Sequence, residues 1–178
     1  IVTDGVSILY GATGAPSKFY GYWRDEWPRT EPFANELEKG LWCLLEPSRL
    51  LDFIAHFIVF ETDAESGKTI KKMCRYQQYR AVNKVIARLK HGKDRKEKSG
   101  VVWHTQGSGK SLTMMFLVRR MRTDPALRRF KIVIVTDRTD LQKQLAATAT
   151  LSGDLVHVAN NAVTLKKILR QEGPGLVF

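Results

Sequence analysis

The spacing of apolar positions changes character twice along the chain. In residues 1–32 the apolar runs are short and broken. Val6-Ser7-Ile8-Leu9-Tyr10 alternates as a strand does, and Gly11, Gly14 and Pro16 end it. Phe19, Tyr20, Tyr22, Trp23 and Trp27 form an aromatic cluster, expected to pack rather than to stack on bases. From Glu31 to Phe57 the spacing turns helical. Phe33, Leu37, Leu41, Leu44 and Leu45 recur at steps of three and four, and after Pro47 so do Leu50, Leu51, Ile54 and Phe57. Ile58-Val59-Phe60 predicts a short strand. Asp63 to Lys68 predicts a linker, and the boundary between two parts of the chain is placed there.

Beyond that boundary, strands and helices alternate. An amphipathic helix is predicted from Tyr76 to Lys90, with Val82, Val85, Ile86 and Leu89 on one face, followed by a charged loop from His91 to Ser99. Gly100-Val101-Val102-Trp103 reads as a buried strand. A glycine loop follows, then a helix from Lys110 to Met121, a strand at Lys131–Thr136 and a helix from Leu141 to Ala149. Strands at Val156–Val158 and Leu176–Phe178 enclose a helix near Leu165–Leu169. This alternation predicts an α/β fold built of parallel βαβ units.

Charge sharpens the picture. The 178 residues carry a formal charge of +11. From Lys68 to Ser99 there are twelve basic residues and two acids, Asp94 and Glu97. Such a block suits a polyanion through counterion release, or it is a solvated helix face and loop. No apolar run approaches the roughly 20 residues of a membrane span. Cys43 and Cys74 are too few for a disulfide framework, which fits a reducing cytoplasm. The start at Ile1 and the apolar end at Phe178 suggest a piece of a longer chain.

The glycine loop carries chemistry. His104-Thr105-Gln106-Gly107-Ser108-Gly109-Lys110-Ser111 contains the Gly-x-Gly-Lys-Ser core of a phosphate-binding loop, between a predicted strand and a predicted helix. Gly107 and Gly109 can take backbone angles that turn successive N–H groups onto phosphates. The helix adds its positive end. Lys110 is placed to reach the β- and γ-phosphates, and the Ser111 hydroxyl to ligate Mg²⁺. His104 stands where the general pattern has its first glycine, and is expected to pack in the loop. Two polar segments flank this motif. Arg75-Tyr76-Gln77-Gln78-Tyr79-Arg80-Ala81-Val82 opens the helix before it, and the Gln78 amide can both donate to and accept from adenine. Val135-Thr136-Asp137-Arg138-Thr139-Asp140-Leu141-Gln142-Lys143-Gln144 lies at the C-terminal end of a strand, where ligands of parallel sheets gather. There Asp137 or Asp140 could cap the next helix, and Arg138 and Lys143 could touch phosphates.

Taken in order, these three segments resemble the superfamily 2 helicase-like motors, and most of all the restriction (motor) subunit of type I restriction-modification enzymes. Trp103-His104-Thr105 with Asp137-Arg138-x-Asp140-Leu141 narrows the match, and Thr3-Asp4-Gly5 with the aromatic stretch to Trp23 resembles the end of that family's nuclease domain. The resemblance implies a partial RecA-like P-loop motor lobe over 68–178, a helical connector over 33–67 and a nuclease-domain tail over 1–32. It implies ATP and Mg²⁺ as cofactors, held by Gln78, Thr105, Gln106, Gly107, Ser108, Gly109, Lys110 and Ser111, with Lys110 as the catalytic residue. It makes Arg138 and Lys143 candidates for the DNA backbone. The partners it implies are duplex DNA and the methyltransferase and specificity subunits, in the cytoplasm and away from membranes.

Some family features have no counterpart in this sequence. The nuclease Asp/Glu-x-Lys triplet has one match, Asp94-Arg95-Lys96, in the basic loop, where it reads as solvated. The motor's second acidic motif and second-lobe arginines are missing. Gln106 and Ser111 stand where threonines are usual. The isolated stretch is therefore expected to bind ATP without turning it over. Three other readings share some of these features: another superfamily 2 helicase or remodeller, a small-molecule P-loop kinase, and a non-catalytic DNA-binding module.

Overall fold

The structure is a computed structural model that describes residues 1–62, 67–136, 142, 146 and 155–178. The chain forms two compact units, Ile1–Ala81 and Val82–Phe178.

The first unit begins with two short antiparallel strands, β1 (Val2–Thr3) and β2 (Ile8–Leu9). The alternation read at Val6–Tyr10 thus yields a shorter strand, and Tyr10 bridges to Gly21 instead. Helices α1 (Glu36–Leu45) and α2 (Pro47–His56) follow. Asn35 caps α1 by accepting the Glu38 N–H at 2.8 Å. Glu46 caps α2, which starts on Pro47. Strands β3 (Ile58–Thr62) and β4 (Thr69–Met73) pair antiparallel over five rungs. The stretch expected as a linker therefore joins two paired strands, its residues 63–66 lying outside the described ones.

Aromatic rings make the core of this unit. Trp23 lies 5.6 Å from Tyr10 and 5.4 Å from Tyr79, and Phe57 lies 4.7 Å from Tyr79. Of the five aromatics expected to pack together, Trp23 is buried, Tyr20 and Trp27 are half-buried, and Phe19 and Tyr22 are exposed. The buried face of α2 differs from the leucine stripe expected. Arg49, Phe53 and Phe57 face inward, while Leu51 and Ile54 are exposed, as are Leu41 and Leu45 of α1. The reason is the company available. The Arg49 guanidinium sits 4.6 Å from the Trp42 ring and 4.9 Å from Tyr79, and its Nε donates to the Cys43 carbonyl at 3.1 Å. A flat cation stacks among aromatic faces better than a branched aliphatic chain does.

The second unit holds the parallel sheet, with strand order β5 (Lys131–Val133), β7 (Gly175–Val177), β6 (Val156–His157). Leu176 and Val177 on the central strand are fully buried. Helix α6 (Ala162–Arg170) connects β6 to β7, capped by Asn161. The predicted helix Leu141–Ala149 falls largely outside the described residues, of which 142 and 146 are helical. Helix α5 (Lys110–Thr123) sets Met114, Met115 and Val118 against Ile132, Ile134 and Leu176. Polar clamps lock this layer. Arg122 donates to the carbonyls of Phe130 at 2.7 Å and Gly175 at 3.0 Å, and Lys131 donates to that of Ile168 at 2.7 Å.

Helix α3 (Tyr76–His91) matches its periodic pattern. The charged loop after it contains a short helix, α4 (Arg95–Lys98). Gly100–Trp103 forms no strand. Val101 and Trp103 are 91% and 88% exposed, and the segment pairs with no described strand. An apolar alternation makes a strand only where a neighbour takes its backbone hydrogen bonds.

Two stability effects follow. A methyl group at Gly40 would lie 1.7 Å from Ile8 Cγ2, which is buried. Gly40→Ala should lower the unfolding free energy by roughly 1–3 kcal/mol, and the denaturation midpoint with it, against the usual gain of up to about 1 kcal/mol for alanine in a helix. A raised midpoint would contradict the close α1–β2 approach. In the second unit, the Lys90 ammonium bonds Asp124 Oδ2 at 2.9 Å and holds that carboxyl below the usual carboxylate range, helped by the Ala126 N–H. A lowered folded pKa adds stability above about pH 4 and loses it as the pH falls through the folded value. Asp124→Asn should therefore cost about 1–2 kcal/mol at neutral pH, discounted because Lys90 is partly exposed, and less at acid pH as the carboxyl titrates. Equal loss at both pH values would contradict the pairing.

Candidate functional site: a glycine loop at the start of α5

The loop from His104 to Lys110 is built on two left-handed glycines. Gly107 has φ 77° and Gly109 φ 82°. A side chain at 107 would meet nothing within 4 Å, so backbone angle, not space, demands glycine there. Gly109 is the N-cap of α5, and no side chain caps that end. The helix therefore starts on Lys110, as the sequence predicted, with its positive end toward the loop.

One carbonyl organises the loop. Thr105 O accepts the Ser108 N–H at 3.3 Å, the Ser108 hydroxyl at 2.7 Å and the Lys110 ammonium at 3.1 Å. The serine hydroxyl has one proton, and that proton goes to Thr105. Ser108 Oγ is then left to accept from His104 Nδ1, 3.3 Å away, which fixes the proton on Nδ1. His104 thus braces the loop by a hydrogen bond, where its sequence position suggested only packing. The Lys110 ammonium rests on the carbonyl with its stem exposed. An arriving phosphate has to outcompete one neutral oxygen for it, and an anion does so readily. Thr105, Gln106, Gly107 and Lys110 are exposed and Ser108 and Gly109 half-buried.

Gln78 is in the first unit and 2% exposed. Its Oε1 accepts the Arg75 N–H at 2.8 Å. That is the reach-back bond of a capping box, three residues into α3. It orients the amide, and sequence reasoning missed it although the Arg75-x-x-Gln78 spacing carries the signal. Arg138 and Lys143 lie outside the described residues. Asp94 of the Asp94-Arg95-Lys96 triplet caps α4 through the Glu97 N–H at 2.8 Å. Among the described residues no three His, Cys, Asp or Glu side chains gather as a metal site. A divalent cation here would need phosphate oxygens as most of its ligands, with Ser111 alongside. No helix among the described residues is long and apolar enough to cross a membrane.

Comparison with known proteins agrees with this geometry. The chain is 37% identical to the type I restriction enzyme HindI endonuclease subunit of Haemophilus influenzae, over all of this chain and 18% of that protein. It is 35% identical to a putative type I restriction enzyme endonuclease subunit, MjaVIIIP, of Methanocaldococcus jannaschii, over 67% of this chain and 12% of that protein. A type I restriction endonuclease subunit of Staphylococcus saprophyticus is 27% identical over 99% of this chain. The chain thus spans less than a fifth of the length of these relatives, and its resemblance to type I restriction subunits holds along its whole length. Residues 77–178, which include α3, the glycine loop and the parallel sheet, match the family model described as SWI2/SNF2 ATPase, and the chain belongs to that helicase-like family.

Proposed function

We propose that this chain is the start of the ATP-dependent motor of a type I restriction endonuclease subunit, a cytoplasmic enzyme that pulls duplex DNA past methyltransferase and specificity subunits and cleaves it. The supporting observation is the Gly107/Gly109 loop, which ends on Lys110 at an uncapped helix start within a parallel α/β unit. That arrangement fits a triphosphate. The loop offers inward backbone donors, Lys110 moves from Thr105 O to the phosphates, and Ser111 ligates the metal. Mg²⁺ held there by Ser111 would supply charge neutralisation to the phosphates. Thr105, Gln106 and Ser108 shape the loop rather than carry charge. Gln78, buried with its Oε1 held by the Arg75 N–H, is the residue that the family resemblance assigns to adenine. Arg138 and Lys143 approach the DNA backbone.

In the same reading, residues 1–32 are the tail of a nuclease domain, 33–67 a connector and 68–178 motor. The net charge of +11 and the restriction subunits among its relatives disfavour the kinase reading. The stretch carries no counterpart of the acidic motif that positions water, so the 178-residue chain binds ATP without sustained turnover.

Equilibrium titration with a fluorescent ATP analogue and Mg²⁺ tests the loop. Lys110→Ala should weaken binding roughly 10- to 100-fold, the worth of a charge-assisted phosphate contact, and leave the melting temperature unchanged because Lys110 is exposed. Equal affinity in the variant would remove the nucleotide reading.

A further inference from the structure

The cations of the basic block differ in how they are spent. In the first unit, Arg75 donates to the Phe19 carbonyl at 2.8 Å and Arg80 pairs with Asp25 at 3.2 Å. In the second, Lys90 is bound to Asp124. The turn after α3 is different. Both of its acids serve the backbone: Asp94 Oδ1 accepts the Glu97 N–H at 2.8 Å, and Glu97 Oε2 accepts the Lys93 N–H at 2.6 Å. The second bond reaches one residue beyond the N-cap of a regular capping box, so the two acids together hold the start of α4. Ser99 Oγ donates to the Arg95 carbonyl at 2.6 Å, and Arg88 Nε reaches back from α3 to the Glu97 carbonyl at 2.8 Å. At Gly92 a methyl group would sit 2.8 Å from both Arg88 O and Lys98 Cγ, so the chain closes on itself there.

The outcome is a short turn with an over-determined backbone and four exposed cations. No ion pair ties Lys93, Arg95, Lys96 or Lys98 to an acidic side chain among the described residues. Lys84, also exposed, lies one helical turn before Arg88 on the same face of α3. Like charges held this close repel, and an ordered array of them gains when a polyanion replaces the repulsion with contacts.

The residues around the cations narrow the ligand. The turn 93–98 itself contains no aromatic side chain to stack on unstacked bases; His91 and the exposed Trp103 flank it. Positions 91–99 contain no apolar residue to enter a lipid layer.

We propose that the turn 93–98, together with Lys84 on α3, is a docking surface for the phosphate backbone of duplex DNA, engaged without regard to sequence. The partner rests on the DNA-motor reading above, while the surface itself is independent of the glycine loop.

The test is anisotropy of a labelled duplex of about 30 base pairs bound by the 178-residue chain without nucleotide, across roughly 50–300 mM KCl. The variant replaces Lys93→Gln, Arg95→Gln, Lys96→Gln and Lys98→Gln together. All four residues are exposed, so its melting temperature should match the wild type. The log–log salt slope should fall by about 0.9 per lost contact, roughly 3 to 4 in all, with affinity at low salt down more than about tenfold. Lys96→Glu alone, a smaller perturbation of the turn, should lower the slope by about 1. Wild-type slope and affinity in both variants would overturn the proposal, as would a wild-type chain that does not bind duplex. So would loss of poly-glutamate binding with duplex binding unchanged, which would assign the turn to an acidic protein. An unchanged slope with ATP-analogue binding intact sinks the turn and spares the motor loop. A reduced slope in a chain that never binds nucleotide does the reverse.

Discussion

The seating of α5 on the parallel sheet is the constraint on which the candidate site depends. Met115 and Val118 fix the helix against Leu176, and Arg122 ties its far end to the carbonyls of Phe130 and Gly175. With its middle and its C-terminal end held, the helix begins at Lys110, and the chain leading into it turns through two left-handed glycines. The loop's inward backbone and the lysine's reach follow from that geometry. The left-handed loop is set by packing five to twelve residues further along the chain.

The loop was legible in the sequence because its demands are local. Glycine is needed for backbone angle, lysine for charge, and the helix start can be read from the break in pattern. Helices α3, α5 and α6 were legible for the same reason, since a 3.6-residue period needs no partner to be seen. What resisted reading depends on distant neighbours. The apolar run at 100–103 reads as a strand, yet no described strand pairs with it. The leucines of α2 read as its buried face, yet Arg49 took that place among Trp23, Trp42 and Tyr79. The bracing of Ser108 by His104 in the glycine loop and, in the first unit, the reach of Gln78 back to the Arg75 N–H are single hydrogen bonds. Composition cannot announce them.

Charge follows a similar division. Most of the block 68–99 looks uniform in sequence, and the structure separates it into cations with partners and cations without. Arg75, Arg80 and Lys90 are structural, each closing a contact with a specific oxygen. Those of the turn 93–98 stay exposed on a backbone that two acids hold rigid. A basic surplus is thus a weak signal until it is known which charges are already committed.

The central claim is that nucleotide chemistry at Lys110 serves movement on DNA. The most direct measurement is ATP turnover by the full-length protein with and without long duplex DNA, in the presence of any subunits that co-purify. The account predicts turnover that rises with duplex DNA and is lost in Lys110→Ala. Turnover indifferent to DNA, with Lys110 still essential, would contradict it and leave an ATPase whose substrate lies elsewhere.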